Sequence, residues 1–144
     1  TIARAYGLPV ILHARKITEE LLQLLRGYRP IAGVLHSFSG SYEQARKAID
    51  LGLHLGFGGA MTHPRAQRLR RVLTALPADA ILLETDAPFQ TPHARLGERN
   101  EPAYLTEILT IAAELRQEAP ELLEEICTAN TLRVFRRLEK QRVK

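Results

Sequence analysis

The chain is 144 residues long, close to the commonest size of one folded domain, with 45% apolar and 25% charged residues, which excludes disordered and fibrous classes. Twenty Lys and Arg against sixteen Asp and Glu leave a net charge of +4, which admits an anionic substrate without requiring one. The single cysteine, Cys127, excludes an internal disulfide and a multi-cysteine metal knuckle and fits a reducing, cytoplasmic setting; no apolar run approaches the ~18–20 residues of a membrane span.

Residues 1–7 read as the end of a helix, with Gly7 at the C′ position and Pro9 barring its continuation. The front of that helix is missing, so the sequence is expected to have lost something upstream. Leu8–Leu12 is a short apolar run ending at His13. Ile17, Leu21, Leu24 and Leu25 form a helical stripe that predicts a helix from Ile17 to Tyr28. Ile31–Leu35 is a second buried-strand run, ending at His36. Ser41 with Gln44 three residues on forms a capping-box pattern, which predicts a helix to about Leu51. Leu53–Phe57 is a third strand stopped by Gly58 and Gly59. Pro64 suits the first turn of a helix running to Leu76. Ala80–Leu83 is the fourth strand, closing on Glu84-Thr85-Asp86.

A polar stretch from Pro88 to Asn100 is long enough to be a functional loop. Three helical patterns follow, over 102–117, 121–129 and 131–140. Near-continuous apolar strands alternating with helices predict an α/β fold, about four parallel strands covered by helices.

Three of the four strands end in a side chain able to bind metal: His13, His36 and Asp86. Ligands of parallel α/β proteins gather at the C-terminal strand ends. Imidazole and carboxylate together suit Zn²⁺, Mn²⁺ or Mg²⁺, which polarises an ester or phosphoryl oxygen and acidifies a bound water. Asp86 serves as ligand, or as acceptor of the water's proton. Arg15, two residues beyond His13, would share its side of the strand if the extended geometry persists; it then grips a phosphate or forms a surface ion pair. Ser37 to Gly40 offer backbone donors and a hydroxyl beside His36.

The remaining candidates have simpler expectations. His54 is packed or partly exposed within a strand, His63 caps a helix, and His93 is a solvated loop residue within possible reach of substrate. Cys127 is a small buried apolar group. Arg68, Arg70 and Arg71, and the tail of Arg133, Arg136, Arg137, Lys140, Arg142 and Lys144, read as solvated faces.

Four successive segments carry a resemblance: Pro9–Arg15 (PVILHAR), Gly33–Gly40 (GVLHSFSG), Leu83–Pro88 (LETDAP) and Arg99–Pro102 (RNEP). Together they resemble the signatures of the TatD family of metal-dependent deoxyribonucleases and related hydrolases. Gly56–Gly59 and Thr62–Ala66 are most similar to the uncharacterised bacterial branch. The resemblance implies an amidohydrolase-type (β/α)₈ TIM barrel with one or two divalent ions (Zn, Mg or Mn) at its C-terminal mouth. It implies metal ligation by His13, His36 and Asp86, with Asp86 also the base on the attacking water and Arg15 near the scissile phosphate. Glu84 would orient its neighbours, and Glu101 would brace the rim through an ion pair. The family's opening His-x-His and its bridging Glu have no counterpart here, and such barrels need ~250 residues. The expectation is therefore one incomplete domain over 1–144, the C-terminal half of the barrel (strands five to eight).

The implied activity is metal-activated hydrolysis of DNA phosphodiester bonds, with DNA as substrate and no membrane partner. Two alternatives share the pattern. One is hydrolysis of a carboxylic ester or amide on the same fold. The other is a non-catalytic half-barrel that self-associates, or pairs with a separate N-terminal half, through open sheet edges.

Overall fold

A computed structural model describes residues 2–138 of the chain. In chain order its regular elements are α1 (Ile2–Ala5), β1 (Val10–His13), α2 (Thr18–Leu25), β2 (Gly33–His36), α3 (Tyr42–Asp50), β3 (Leu53–Phe57), α4 (Gln67–Ala75), β4 (Ile81–Leu83), α5 (Leu105–Arg116) and α6 (Pro120–Val134). The strands form one parallel sheet in the order β1-β2-β3-β4, with Val10 opposite Gly33 and His13 opposite His36. Each crossover advances one strand in the same direction. That uniform order is the arrangement of a barrel wall, whereas a doubly wound sheet reverses at a switch point. The α/β class with four parallel strands is what the alternation of runs in the sequence predicts.

Strand alternation assigns the two faces. Leu35, Leu53, Leu55, Phe57 and Ile81 point toward the helices and join Leu22, Ala45, Ala48, Val72, Leu73, Ile108 and Leu123 in the main core. Each of these is at most 4% exposed. The intervening residues Ile11, Val34 and Leu82 point to the opposite face. There Val34 and Leu82 pack under Val134 and Phe135 from the end of α6, while Ile11 stays 65% exposed. His13 and His36 belong to this second face by the same alternation.

Local signals explain most boundaries. The α3 capping box forms as its pattern predicts: Gln44 N–H donates to Ser41 Oγ at 3.3 Å and Ser41 N–H to Gln44 Oε1 at 3.0 Å. Gly7 takes the left-handed φ of 58° that ends α1. Three expectations are corrected. Pro64 precedes its helix: α4 begins at Gln67, and Pro64 O instead accepts from Gln67 Nε2. Arg68 and Arg71 are exposed on α4, but Arg70 departs from the expected solvated face: it is partly buried and its Nε has no partner among the described residues, while Arg68 Nη2 donates to Ser39 O at 2.8 Å. The last two helical patterns are one helix, α6, because Asn130 continues it as a buried residue whose Nδ2 donates to Ala78 O and Ile81 O, both at 2.9 Å. Lys140, Arg142 and Lys144, along with the end of the pattern reaching Lys140, lie outside the described residues.

Arg116 links α4 to α5: its guanidinium caps the carbonyls of Leu73 and Leu76 and pairs with Glu118 at 2.8 Å. Cys127 is buried, and burial pushes its thiol up to about 11, so it is an apolar filler and no nucleophile at neutral pH. Among the described residues no helix is long and apolar enough to cross a membrane.

His54 is half-buried on β3, and its Nδ1 has no partner among the described residues. Burial, reinforced by Arg133, holds its imidazole below the ordinary histidine value, with Asp79 pulling the other way. The unfolded chain therefore protonates His54 first, and stability present above about pH 6.5 declines as pH falls. Urea unfolding at pH 7, 6 and 5 is expected to show this decline, and His54→Gln to flatten it. An unchanged slope in the variant would reject His54 as its source.

Candidate functional site

The rim is built where β1, β2 and β4 end. Pairing of His13 with His36 in register brings their ring centroids to 5.6 Å, tilted by 41°. Beyond β4 the chain reaches Glu84 and Asp86, and both carboxylates meet His36. Glu84 Oε2 lies 2.9 Å from Nδ1, and Asp86 Oδ1 lies 3.2 Å from Nε2. His36, Glu84 and Asp86 are each about one-fifth to one-third exposed, so the contacts form at a shielded rim open to solvent.

Glu84 is held from three directions. Its Oε1 accepts from Ser37 N–H at 2.7 Å and its Oε2 faces His36. Its backbone N–H donates to Phe57 O at 3.0 Å. The carboxylate lies against Gly56, where an added Cβ would collide with it. Glycine at this strand position is thus required by close approach of a side chain. Asp86 is aimed by its backbone, which holds a left-handed φ of 56°, a conformation costing a non-glycine residue roughly 1–2 kcal/mol. Gln90 Nε2 then pins it, donating to Asp86 Oδ2 and to Ser37 Oγ, each at 2.5 Å.

The long loop after Pro88 is anchored by Asn100, which is 2% exposed and donates from Nδ2 to Thr85 O at 2.6 Å and to Phe89 O. Farther out, Arg95 pairs with Glu107 at 2.7 Å and stacks over the Tyr104 ring at 4.9 Å. Arg95, Glu107 and Tyr104 brace this side. Glu101 does not: it is exposed and makes no ion pair among the described residues, because the chain there turns outward into a short helical turn at Pro102–Tyr104.

This arrangement has a chemical consequence. A neutral imidazole that donates from Nδ1 to Glu84 presents a lone pair at Nε2, and that lone pair faces a carboxylate oxygen. A cation shared between Nε2 and Asp86 would satisfy this contact. Two ligands of one tetrahedral zinc stand about 3.4 Å apart at ordinary bond lengths, so the 3.2 Å separation of Nε2 and Oδ1 suits a shared ion. Glu84 on Nδ1 supplies the outer carboxylate that metal-bound histidines usually carry. Among the described residues no three His, Cys, Asp or Glu side chains are placed so that they could hold a metal ion by themselves. The rim therefore fits part of a divalent ion's shell and leaves its other positions to further donors.

The four predicted site residues fall into two groups. His13, His36 and Asp86 share the rim. Arg15 does not follow from strand alternation, because β1 ends at His13 and Lys16 adopts a φ of 65°. Arg15 is exposed and makes no hydrogen bond or ion pair among the described residues. His63 does not cap α4, whose N-cap is Ala66; its ring meets that of His93 edge-on at 5.1 Å. Gln90 was not singled out in the sequence, and Asn100 and Gly56 entered only within the resemblance segments, with no role of their own. A glycine inside an apolar strand is a signal that could have found Gly56. Gln90 carries no sequence signal, since its role depends on a loop folding back over the strand ends.

The chain matches the family described as "TatD related DNase" over residues 1–136. It is 38% identical over 137 residues to the uncharacterized metal-dependent hydrolase YabD of Bacillus subtilis, covering 94% of this chain and 54% of that protein. It is 39% identical over 141 residues to the 3'-5' ssDNA/RNA exonuclease TatD of Klebsiella pneumoniae, covering 93% and 54%. The crystal structure of YjjV, a TatD homolog from Escherichia coli K12, superposes with a TM-score of 0.88 at 36% identity, over 94% of this chain and 52% of that one. The chain spans about half the length of these relatives.

Proposed function

The chain belongs to the TatD family, and from that membership and the geometry of the rim we propose that it contributes a divalent-metal hydrolytic site acting on phosphodiester bonds of DNA. The observation carrying the proposal is His36 held between two carboxylates, Glu84 at Nδ1 and Asp86 at Nε2, with His13 alongside. His13, His36 and Asp86 would supply part of the ion's shell, with further donors completing it. When bound, it would supply Lewis-acid polarisation of a phosphoryl oxygen and a more acidic water.

The chain's own groups have separable tasks in this reading. Glu84 keeps the His36 ring oriented and directs Nε2 into the rim. Asp86 Oδ1 takes the proton of the attacking water, while Gln90 restrains Oδ2 and limits rotation of the carboxylate. Arg15, free to swing at the edge of the rim, would pair with the phosphate.

The test is hydrolysis of a single-stranded oligodeoxynucleotide and of a carboxylic ester, with Mg²⁺, Mn²⁺ or Zn²⁺ and after chelation. Metal-dependent cleavage of the oligonucleotide is the expected result. Cleavage of the ester alone would transfer the site to carboxyl chemistry, and inactivity on both would reject the proposal. Glu84→Gln keeps the shape and removes the charge behind His36. It is expected to weaken metal affinity by about 10–100-fold, measured by titration with a chelating indicator.

A further inference from the structure

Next to the rim lies a second concavity with different chemistry. Ala60, His63, Arg65, Ala66 and Gln90 line an open depression of about 400 Å³, near the lower end of small-molecule sites. Its floor is small and apolar, and its wall is an imidazole. The His63 ring is backed edge-on by His93 at 5.1 Å. A guanidinium, Arg65, stands exposed at the margin.

The depression is held open by packing. His93 N–H donates to Thr62 Oγ1 at 2.8 Å, and the Thr62 hydroxyl, itself buried, donates to Gly59 O at 2.6 Å. The Gln90 backbone lies directly on Gly59, where any Cβ would collide with it. Gln90 itself adopts a φ of 55°. These contacts bring the turn after β3 against the loop after β4, so the two histidines meet although 30 residues separate them in the sequence.

Gln90 connects the depression to the rim. Its Nε2 is committed to Asp86 and Ser37, while its Oε1 accepts no hydrogen bond among the described residues. A ligand in the depression would thus lie one side chain away from Asp86, with an aromatic ring to stack on, an amide oxygen to accept from an exocyclic amine, and a guanidinium for an adjoining phosphate. This combination matches a nucleobase with its neighbouring phosphate.

We propose that the depression is a nucleobase subsite, taking the base of the nucleotide next to the phosphodiester at the rim. The inference rests on the phosphodiester reading of the rim and adds residues that reading does not use: His63 for stacking, with His93 behind it, and Arg65 for phosphate; Gln90 keeps its Nε2 on Asp86 and gives its Oε1 to the base. Stacking on the His63 imidazole orients the strand, and it tolerates different bases because every base has a π face.

The test uses a ten-residue single-stranded oligodeoxynucleotide carrying 2-aminopurine near its 3' end, titrated with the chain in the presence of EDTA so that no cleavage occurs. Stacking quenches 2-aminopurine, so a saturable quench is expected. His63→Ala is expected to weaken it by about 5- to 100-fold, the range for loss of one base–aromatic stack, and His93→Ala, which removes the ring supporting His63, to weaken it by a smaller factor. His93→Phe, which keeps an aromatic ring, should retain it. Thermal melts of all three variants close to that of the parent chain would show that the fold is intact. Absence of a quench in the parent chain, or a quench unchanged in both alanine variants, would overturn the subsite. Hydrolysis of bis(4-nitrophenyl) phosphate with Mn²⁺, a diester that carries no base, is measured separately. Its absence counts against the rim chemistry alone, whereas its persistence in the alanine variants alongside lost quenching separates the base subsite from the reacting centre.

Discussion

Replacing His13 and His36 together with alanine is expected to abolish retention of a divalent ion by the purified chain, read as metal per chain by elemental mass spectrometry after dialysis. The rim offers one carboxylate and two imidazoles, so the double variant leaves only Asp86 as a direct donor. Removing an outer-shell partner already costs about 10–100-fold in affinity, and losing two direct ligands costs more than that. Both side chains lie at strand ends, where His13 is exposed and His36 is 22% exposed. The double variant should therefore melt near the parent. Equal metal content in parent and variant would move the ion elsewhere. A parent that retains no ion would mean that these three donors do not suffice in this chain.

Phe57→Ala is expected to lower stability by about 3–5 kcal/mol, the cost of emptying a large aromatic site. Phe57 is 1% exposed at the end of β3, and its ring lies 6.0 Å from that of Phe38, tilted by 59°. For a chain of this size the loss corresponds to a fall in Tm on the order of 10 °C or more, measured by calorimetry. The same residue supports the rim from behind. Phe57 O accepts from Glu84 N–H, and Phe38 N–H donates to Gly56 O at 2.9 Å. Metal affinity should thus fall in the variant even at temperatures where it remains folded. A stability change below about 1 kcal/mol would show that the site collapses to fill the space.

The contact between His36 and Asp86 connects these two results. The core places the backbones, the strand ends present the ligands, and Glu84 and Gln90 orient what the strands present. Each layer needs the one beneath it. Mutations in the core are therefore expected to reach the rim through Gly56 and Phe57, without any change in the ligating side chains.

The parallel direction of the strands and the rim positions of His13 and His36 were legible in the chain itself, whereas the strand order followed only from the resemblance to a barrel family. The physical cause is local: short, near-continuous apolar runs bounded by turn residues, separated by amphipathic helices, leave a parallel sheet as the way to bury both faces, and a residue just past the last apolar position stands at the strand end. The capping box at Ser41 and the left-handed Gly7 were readable for the same reason, since their partners lie within a few residues.

What only the tertiary structure decided is contact between segments far apart in the chain. Asn130 reads as a break in a helical pattern until its amide is seen to satisfy Ala78 O and Ile81 O, about fifty residues away. Glu84 and Asp86 look alike in sequence; a left-handed backbone at Asp86 and the space left by Gly56 set one on each side of the His36 ring. Gln90, His63 and His93 meet because two loops pack on Gly59. Local periodicity reports which face a residue occupies. It holds no information on which distant polar group will be desolvated beside it, and that pairing determines what the rim can bind.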